Sequence, residues 1–170
     1  FLPKSTIFAV LLLFFVQAVA YSQTLGDYRS NSTNGNWTTL SSWQYYDGTS
    51  WVTPSGTSPQ GYPGQFAGTG TVTILNGNSI TLNADITNSF VELIIGESAT
   101  ATSTSFANFS VGGDFKLTTL DVVISKYAVL QFTDNKGTLY LPLYAGILIE
   151  PLGGLATQGG PGNCNNNVNY

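Results

Sequence analysis

The stretch TVTILNGNSITLNADITNSFVELIIGES, residues 71–98, decides the fold. Val72 and Ile74, Ile80 and Leu82, then Val91, Leu93 and Ile95 alternate with Thr, Ser, Asn and Glu, and a period of two means a strand with one buried face. Asn76-Gly77-Asn78 and Gly96 break the runs where the chain must turn. The same pattern continues through Phe109/Val111, Phe115/Leu117, Val122/Ile124, Leu130/Phe132, Leu139/Leu141 and Ile147/Ile149. Breakers again divide it, among them Gly112-Gly113-Asp114, Asp134-Asn135-Lys136-Gly137 and the segment from Pro151 to Gly154. No window beyond the first 22 residues keeps apolar residues at i, i+3, i+4 and i+7, so almost no helix is expected.

Short strands of this kind close as a sandwich or barrel, or stack as the coils of a solenoid. Similar text returns at intervals of about 20 residues, around Ile74, Ile94, Lys116 and Leu139, a length that fits one turn of a three-sided coil. The spacing therefore predicts an all-β, right-handed parallel β-solenoid (β-helix) of about four coils over residues 69–152. A β-sandwich or jelly roll is the alternative. In a stacked coil, inward positions become columns of Val, Ile, Leu and Phe, and outward positions become columns of Thr, Ser and Asn. The composition matches: 21 Thr, 16 Ser, 14 Asn and 19 Gly make up 70 of the 170 residues.

Residues 1–22 read as an address. Lys4 precedes the apolar run Ile7 to Val16, and Ala18-Val19-Ala20 places small residues as a signal peptidase requires; a cut after Ser22 fits equally well. The run is shorter than the roughly 20 residues that cross a bilayer, so an exported chain without a transmembrane segment is expected. The chain opens at Phe1 and holds no Met, and a sequence cut at its front is expected. With 5 Lys+Arg against 9 Asp+Glu the net charge is −4, which disfavours a nucleic-acid partner. Without His, His-based acid–base chemistry and His-ligated metals are excluded. Cys164 is the single Cys, so any disulfide needs a partner outside these 170 residues.

Residues 23–68 are aromatic and turn-rich and hold all three Trp. Two readings of Trp37, Trp43, Tyr45, Tyr46 and Trp51 compete. Aromatic rings beside amides and hydroxyls stack on sugar faces, which makes Trp37, Trp43, Tyr45 and Trp51 candidates for a glycan platform. A solenoid also needs its first coil covered to stay soluble, and the same rings suit that cap. Alternation favours the cap: Trp43 and Tyr45 share one strand face with Tyr46 on the other, and Asp47-Gly48 suits a hairpin turn into Trp51-Val52. Residues 153–170 are too rich in Gly and Asn to bury a core and read as a loop or an unfinished coil.

The segments GDYRSNSTNGNWTTLSSWQYYDGTSWV (Gly26 to Val52), VTILNGNSITLNADI (Val72 to Ile86) and ELIIGESATATSTS (Glu92 to Ser105) resemble a family of secreted, adhesin-like Bacteroidetes proteins with parallel β-helix coils. The likeness spans roughly residues 25 to 167; the opening block is its more specific part, and the coil text is of low complexity. Gly162-Asn163-Cys164-Asn165-Asn166 looks like the start of that family's Cys region. The resemblance implies a partner Cys, further modules and a type IX secretion sorting domain beyond Tyr170, and a home outside, or on the surface of, a Gram-negative bacterium.

The charged residues select no catalytic group. Asp85, Glu92, Glu97, Asp114 and Asp121 are scattered; Glu92 or Glu97 could approach Asp114 or Asp121 across neighbouring coils, but the spacing chooses no pair for a glycosidase. A polysaccharide lyase would have to draw on Lys116, Asp121 and Lys126. Gly112-Gly113-Asp114 resembles the start of a calcium nonapeptide whose repeat is missing, and no cofactor or metal is expected. The sequons at Asn31, Asn36 and Asn108 are what this composition produces by chance. The expected function is a non-catalytic surface adhesin or scaffold presenting a repetitive polar face to glycans, cells or matrix. The alternatives are a carbohydrate-active β-helix protein of lyase or hydrolase type, and a small carbohydrate-binding module that uses the Trp block.

Overall fold

In the computed structural model, residues 23–134, 137–157 and 167–169 are described, the last three by their backbone alone. The leader at residues 1–22 and Cys164 lie outside the described residues. The chain is an all-β solenoid of about three turns. Its strands are β1 (Tyr28–Ser30), β2 (Gly35–Asn36), β3 (Trp43–Tyr46), β4 (Trp51–Val52), β5 (Thr71–Ile74), β6 (Ser79–Leu82), β7 (Ile86–Ile95), β8 (Asn108–Val111), β9 (Asp114–Ile124), β10 (Val129–Phe132), β11 (Thr138–Tyr140), β12 (Gly146–Ile149), β13 (Gly154–Thr157) and β14 (Asn167–Asn169). A 3-10 turn, Leu40–Ser42, precedes β3.

Parallel pairing sorts them into three faces. The first stacks β1, β5, the end of β7, the end of β9 and β12. The second stacks β2, β6, β8, β10 and β13. The third stacks the starts of β7 and β9, then β11 and β14. Because β7 and β9 each turn a corner, one strand serves two faces, and the register of this pair shifts between Ile86 and Phe90. The turns are longer than the 20 residues the text suggests: Val72 pairs with Leu93, Leu93 with Val122 and Val122 with Ile147, offsets of 21, 29 and 25. Longer turns are why the solenoid completes about three circuits where four were expected.

The core is a set of columns. On the first face Ile74, Ile95 and Ile124 stand in register, and on the second Ile80, Phe109 and Leu130 do the same; all six are fully buried. The outward neighbours on the second face, Asn108, Ser110 and Gln131, form a polar ladder in which Asn108 Nδ2 donates to Ser110 Oγ at 3.2 Å and Gln131 Oε1 at 3.1 Å.

The first end of the core is closed by the aromatic segment. Between β2 and β5 the chain leaves the coil, and β3 and β4 extend the first face as antiparallel strands beyond β1. Trp37 and Trp43 are fully buried, edge to face with centroids 5.0 Å apart, and Trp37 lies 5.5 Å from Phe109 and 6.0 Å from Phe90. Both indole N–H groups are satisfied, Trp37 Nε1 donating to the Pro63 carbonyl (2.9 Å) and Trp43 Nε1 to that of Trp37 (2.7 Å). Gly64 allows the covering loop to come this close: its φ is +75°, and a Cβ there would collide with Ile86. The cap is thus a built element, with every buried donor that anchors it paired.

Nothing comparable covers the other end among the described residues. Ile149 and Leu155 occupy the same inward columns as Ile124 and Leu130, yet are 43% and 51% exposed. Among the described residues no strand pairs with the outer edges of β12 and β13, and such an edge is a template for pairing with another chain.

Two outcomes follow from this layout. Trp43→Ala should lower the unfolding free energy by about 3–5 kcal/mol, the usual cost of deleting a large buried aromatic; a loss under about 1 kcal/mol in denaturant titration would mean that Trp43 is not packed. The chain should self-associate with rising concentration in sedimentation velocity, and Ile149→Lys with Leu155→Lys should reduce this; a wild type that stays monomeric at high concentration would show the bare end to be inert.

Candidate functional site

The outer side of the first face carries a groove of about 470 Å³, beside a smaller hollow of about 240 Å³. Its origin is the strand alternation. With Tyr28, Val72, Leu93 and Val122 turned into the core, their neighbours Arg29, Thr73, Ile94 and Val123 must face out, and so must Thr71, Glu92 and Asp121. The floor is Thr at the capped end and aliphatic further along. The turn at Glu97 to Ala99, together with Glu150, forms a wall. Glu150 Oε2 accepts from the Ser98 hydroxyl and, at 3.1 Å, from the Lys126 backbone N–H, which ties that wall to the turn after β9.

Of the four candidate platform residues, the structure leaves one at the surface. Trp37, Trp43 and Tyr45 are buried, so they offer no ring to a ligand, and burial also pushes the phenol of Tyr45 up, helped by the nearby Asp47 charge. Trp51 is half-buried and lines the groove. It sits across from Tyr46 in the β3–β4 hairpin, ring centroids 5.2 Å apart, and the Arg29 guanidinium lies 4.5 Å over its ring. Arg29 Nε also donates to Gln44 Oε1 at 2.7 Å. The indole and the amide together hold the guanidinium as a fixed fork of donors at the groove's capped end.

The hairpin turn that presents Trp51 is stiff for a stated reason. Asp47 Oδ1 accepts from the Thr49 hydroxyl (2.7 Å) and from the backbone N–H groups of Thr49 and Ser50 (both 2.8 Å). Those bonds favour the ionised form, and the Thr49 hydroxyl, then the Ser50 and Thr49 N–H groups, bring the Asp47 pKa down to about 2. Behind Arg29, Asp27 is committed to structure: its carboxylate accepts from the Thr24 N–H (2.7 Å), the Thr24 hydroxyl (3.1 Å) and the Thr71 N–H (2.9 Å).

Stacking selects the carboxylate pair that spacing alone did not. Glu92 and Asp121 are register partners on β7 and β9. Burial raises the Glu92 pKa, and the Asp121 charge raises it further. Asp114 pairs with Thr138 on the third face and takes no part. The trio Lys116, Asp121 and Lys126 is not brought together: Lys116 pairs with Tyr140 on the third face, and Lys126 Nζ lies 5.0 Å over the ring of Tyr127. Gly112-Gly113-Asp114 is the corner between β8 and β9, and among the described residues no three His, Cys, Asp or Glu side chains converge as a metal site.

Comparison with known protein families, curated proteins and solved structures gives no match to this chain. The fold and groove define it as a short parallel β-solenoid with a capped end and a mixed-polarity outer groove. Among the described residues no helix is long and apolar enough to cross a membrane.

The facing acids set a pH dependence. A carboxyl whose folded pKa lies above its unfolded value, about 4.3 for Glu, loses stability as pH rises through the interval between the two. Glu92→Gln removes that loss, so its thermal midpoint should exceed that of the wild type at pH 7 and match it at pH 3. A lower midpoint at pH 7 in differential scanning calorimetry would reveal a stabilising partner for the ionised Glu92.

Proposed function

We propose that this chain is a non-catalytic, glycan-binding module of an exported adhesin or scaffold, and that the groove on the first face is its contact surface. The observation that carries the reading is the composition of that groove: a guanidinium fixed on Trp51, Thr71 and Thr73 hydroxyls, and an aliphatic floor at Ile94 and Val123. Sugars present hydroxyl edges and C–H faces, and a surface alternating donors, acceptors and aliphatic carbon serves both. The strands lie about 4.8 Å apart, so the face from β4 to β12 spans about 30 Å and admits several sugar units of one extended chain. Weak contacts repeated along such a face gain strength through avidity when many copies meet a polymer. Export is supported by the leader, and a bacterial surface location with type IX secretion by the resemblance of residues 25–167 to secreted adhesin-like proteins.

One observation favours the rival, a carbohydrate-active protein: Glu92 and Asp121 are two carboxyl groups lining the small hollow beside the groove, and Glu92 has a raised pKa. Release of reducing ends from a bound glycan, abolished by Glu92→Gln, would establish it.

A glycan array tests the binding reading. The wild type should retain a subset of polysaccharides, and Trp51→Ala, which removes the ring beneath Arg29 without touching the core, should weaken that binding by about tenfold or more. Undiminished binding would remove Trp51 and Arg29 from the site, and an array without any retained glycan would end the reading itself.

A further inference from the structure

The capped end of the groove holds a guanidinium whose donors are only partly used. Arg29 is the one cation among the described residues lining the groove. It is fixed from two sides: the Trp51 ring lies 4.5 Å beneath the guanidinium, and Gln44 Oε1 accepts from Nε at 2.7 Å. The terminal N–H groups are left over, since among the described residues no carboxylate, carbonyl or hydroxyl accepts from them. Asp27, the acid next to it along the chain, is committed elsewhere: it accepts from the Thr24 N–H (2.7 Å), the Thr24 hydroxyl (3.1 Å) and the Thr71 N–H (2.9 Å). Thr73 is the register partner of Arg29, about 4.8 Å away on β5, and its hydroxyl also has no partner among the described residues. A clip that only fastened the hairpin to β1 would need the stack and the Nε bond alone. The unused fork and the hydroxyl beside it, both lining the groove, point to a ligand.

We propose that Arg29 and Thr73 seat the oxyanion, a carboxylate or a sulfate ester, of a glycan that carries one such charge and is otherwise neutral; this rests on the glycan-binding reading above. A guanidinium presents its terminal N–H groups as a planar fork that matches an oxyanion, and here the stack and the Gln44 bond have already ordered it before any ligand arrives. The resulting hydrogen bonds are charge-assisted, and the Thr73 hydroxyl can serve a lone pair that the fork leaves open. The rest of the groove limits the ligand to one charge. Beyond Thr73 the floor is Ile94 and Val123, and the acids along it are Glu92, Glu97 and Glu150. Glu92 stands two strands and two residues from Arg29, about 12 Å, which exceeds the screening length of about 8 Å at physiological salt. It therefore leaves an anion on Arg29 nearly undisturbed, but repels a second anion lying over Ile94. Lys126 does not line the groove and is turned onto Tyr127, so it supplies no second seat. A neutral glycan fits the floor and leaves the fork unused, while a polyuronate engages the fork and meets repulsion beyond it. The groove thus discriminates against both.

The test titrates matched probes calorimetrically: xylotriose bearing one glucuronate, the same compound with its carboxyl reduced to the alcohol, xylotriose bearing one sulfate ester, and tetragalacturonate. The expected result is that at least one singly charged probe binds the wild type about tenfold or more tightly than the reduced form, and more tightly than tetragalacturonate. The tighter of the two singly charged probes identifies the oxyanion. Arg29→Gln should bring that probe and the reduced form within about twofold of each other. Lys116→Gln, which removes a cation from the third face, should keep the preference. The wild-type comparison decides without any variant: a reduced form that binds as well as both charged probes would overturn the inference and leave the glycan reading standing. Tetragalacturonate as the tightest ligand would overturn the limit to one charge and with it the inference. A preference that survives Arg29→Gln, or disappears with Lys116→Gln, would overturn the assigned seat. Binding of none of the four probes, with other glycans retained on the array, would overturn this inference alone; an empty array would remove both readings.

Discussion

Everything in this molecule depends on in-register stacking. A strand in a parallel solenoid cannot choose its neighbours: whatever stands at an inward position lies over its equivalent in the next turn, and a side chain there is dry only if both neighbouring turns are present. Ile74, Ile95 and Ile124 meet that condition and are fully buried; Ile149, one turn further, has no turn over it among the described residues and is 43% exposed. The column is one object, and its ends are its weak points. At the first end the problem is solved by Trp37 and Trp43, which cover in two side chains an area that would otherwise need another turn, and whose N–H groups find carbonyls so that no polar atom is stranded.

The cap requires the chain to leave the coil and return. It departs after β2 and re-enters at β5, and the two crossings are fastened by hydrogen bonds that span long sequence separations. Asp27 holds Thr71, 44 residues on, and Asn88 Nδ2 donates to the carbonyls of Gly64 (3.1 Å) and Gln65 (3.0 Å). The pairings of β1 with β3 and of β3 with β4 then place the hairpin beside the first turn. They therefore also set where Trp51 meets Arg29, so the stability of the cap and the shape of the groove are consequences of the same fastening.

Much of this was legible in the sequence, and the reasons differ by feature. Period-two alternation gave the strands because burial on one face leaves no freedom in residue choice. The burial of Trp43 and Tyr45 against the half-exposed Tyr46 followed from the same rule. The turn length was misjudged because the recurrences at Ile74 and Ile94 belong to the first face while those at Lys116 and Leu139 belong to the third, so the interval mixed two registers. A sharper signal was present: Thr71-Val72-Thr73-Ile74, Glu92-Leu93-Ile94-Ile95, Asp121-Val122-Val123-Ile124 and Gly146-Ile147-Leu148-Ile149 share one four-residue pattern, aliphatic at the second position and Ile at the fourth, and aligning them gives the first face directly. The loop at residues 97–107 hides that alignment by stretching one offset to 29. The meeting of Arg29 with Trp51 carried no such signal, since it joins a parallel strand to an antiparallel hairpin whose placement depends on the cap.

Stacking also explains why the acidic pair stands out. In-register columns amplify any charge, because a charged residue faces its equivalent one turn away at strand spacing, and the remedy visible elsewhere in this chain is to fill outward columns with neutral groups. Ser79 lies beside Asn108, Thr81 beside Ser110 and then Gln131, Asp114 beside Thr138, and Lys116 beside Tyr140. Among the paired strand positions of the described residues, only Glu92 and Asp121 place two charges together, and they do so with a glycine as the next member of the column. A sequence that avoids like charges at the other paired outward positions of the described residues accepts one such pair on the first face, and the raised pKa of Glu92 is its local cost. The second face shows the other solution, a ladder of neutral amides and hydroxyls in which Asn108 Nδ2 donates to Ser110 and Gln131 while its buried Oδ1 is left without a partner.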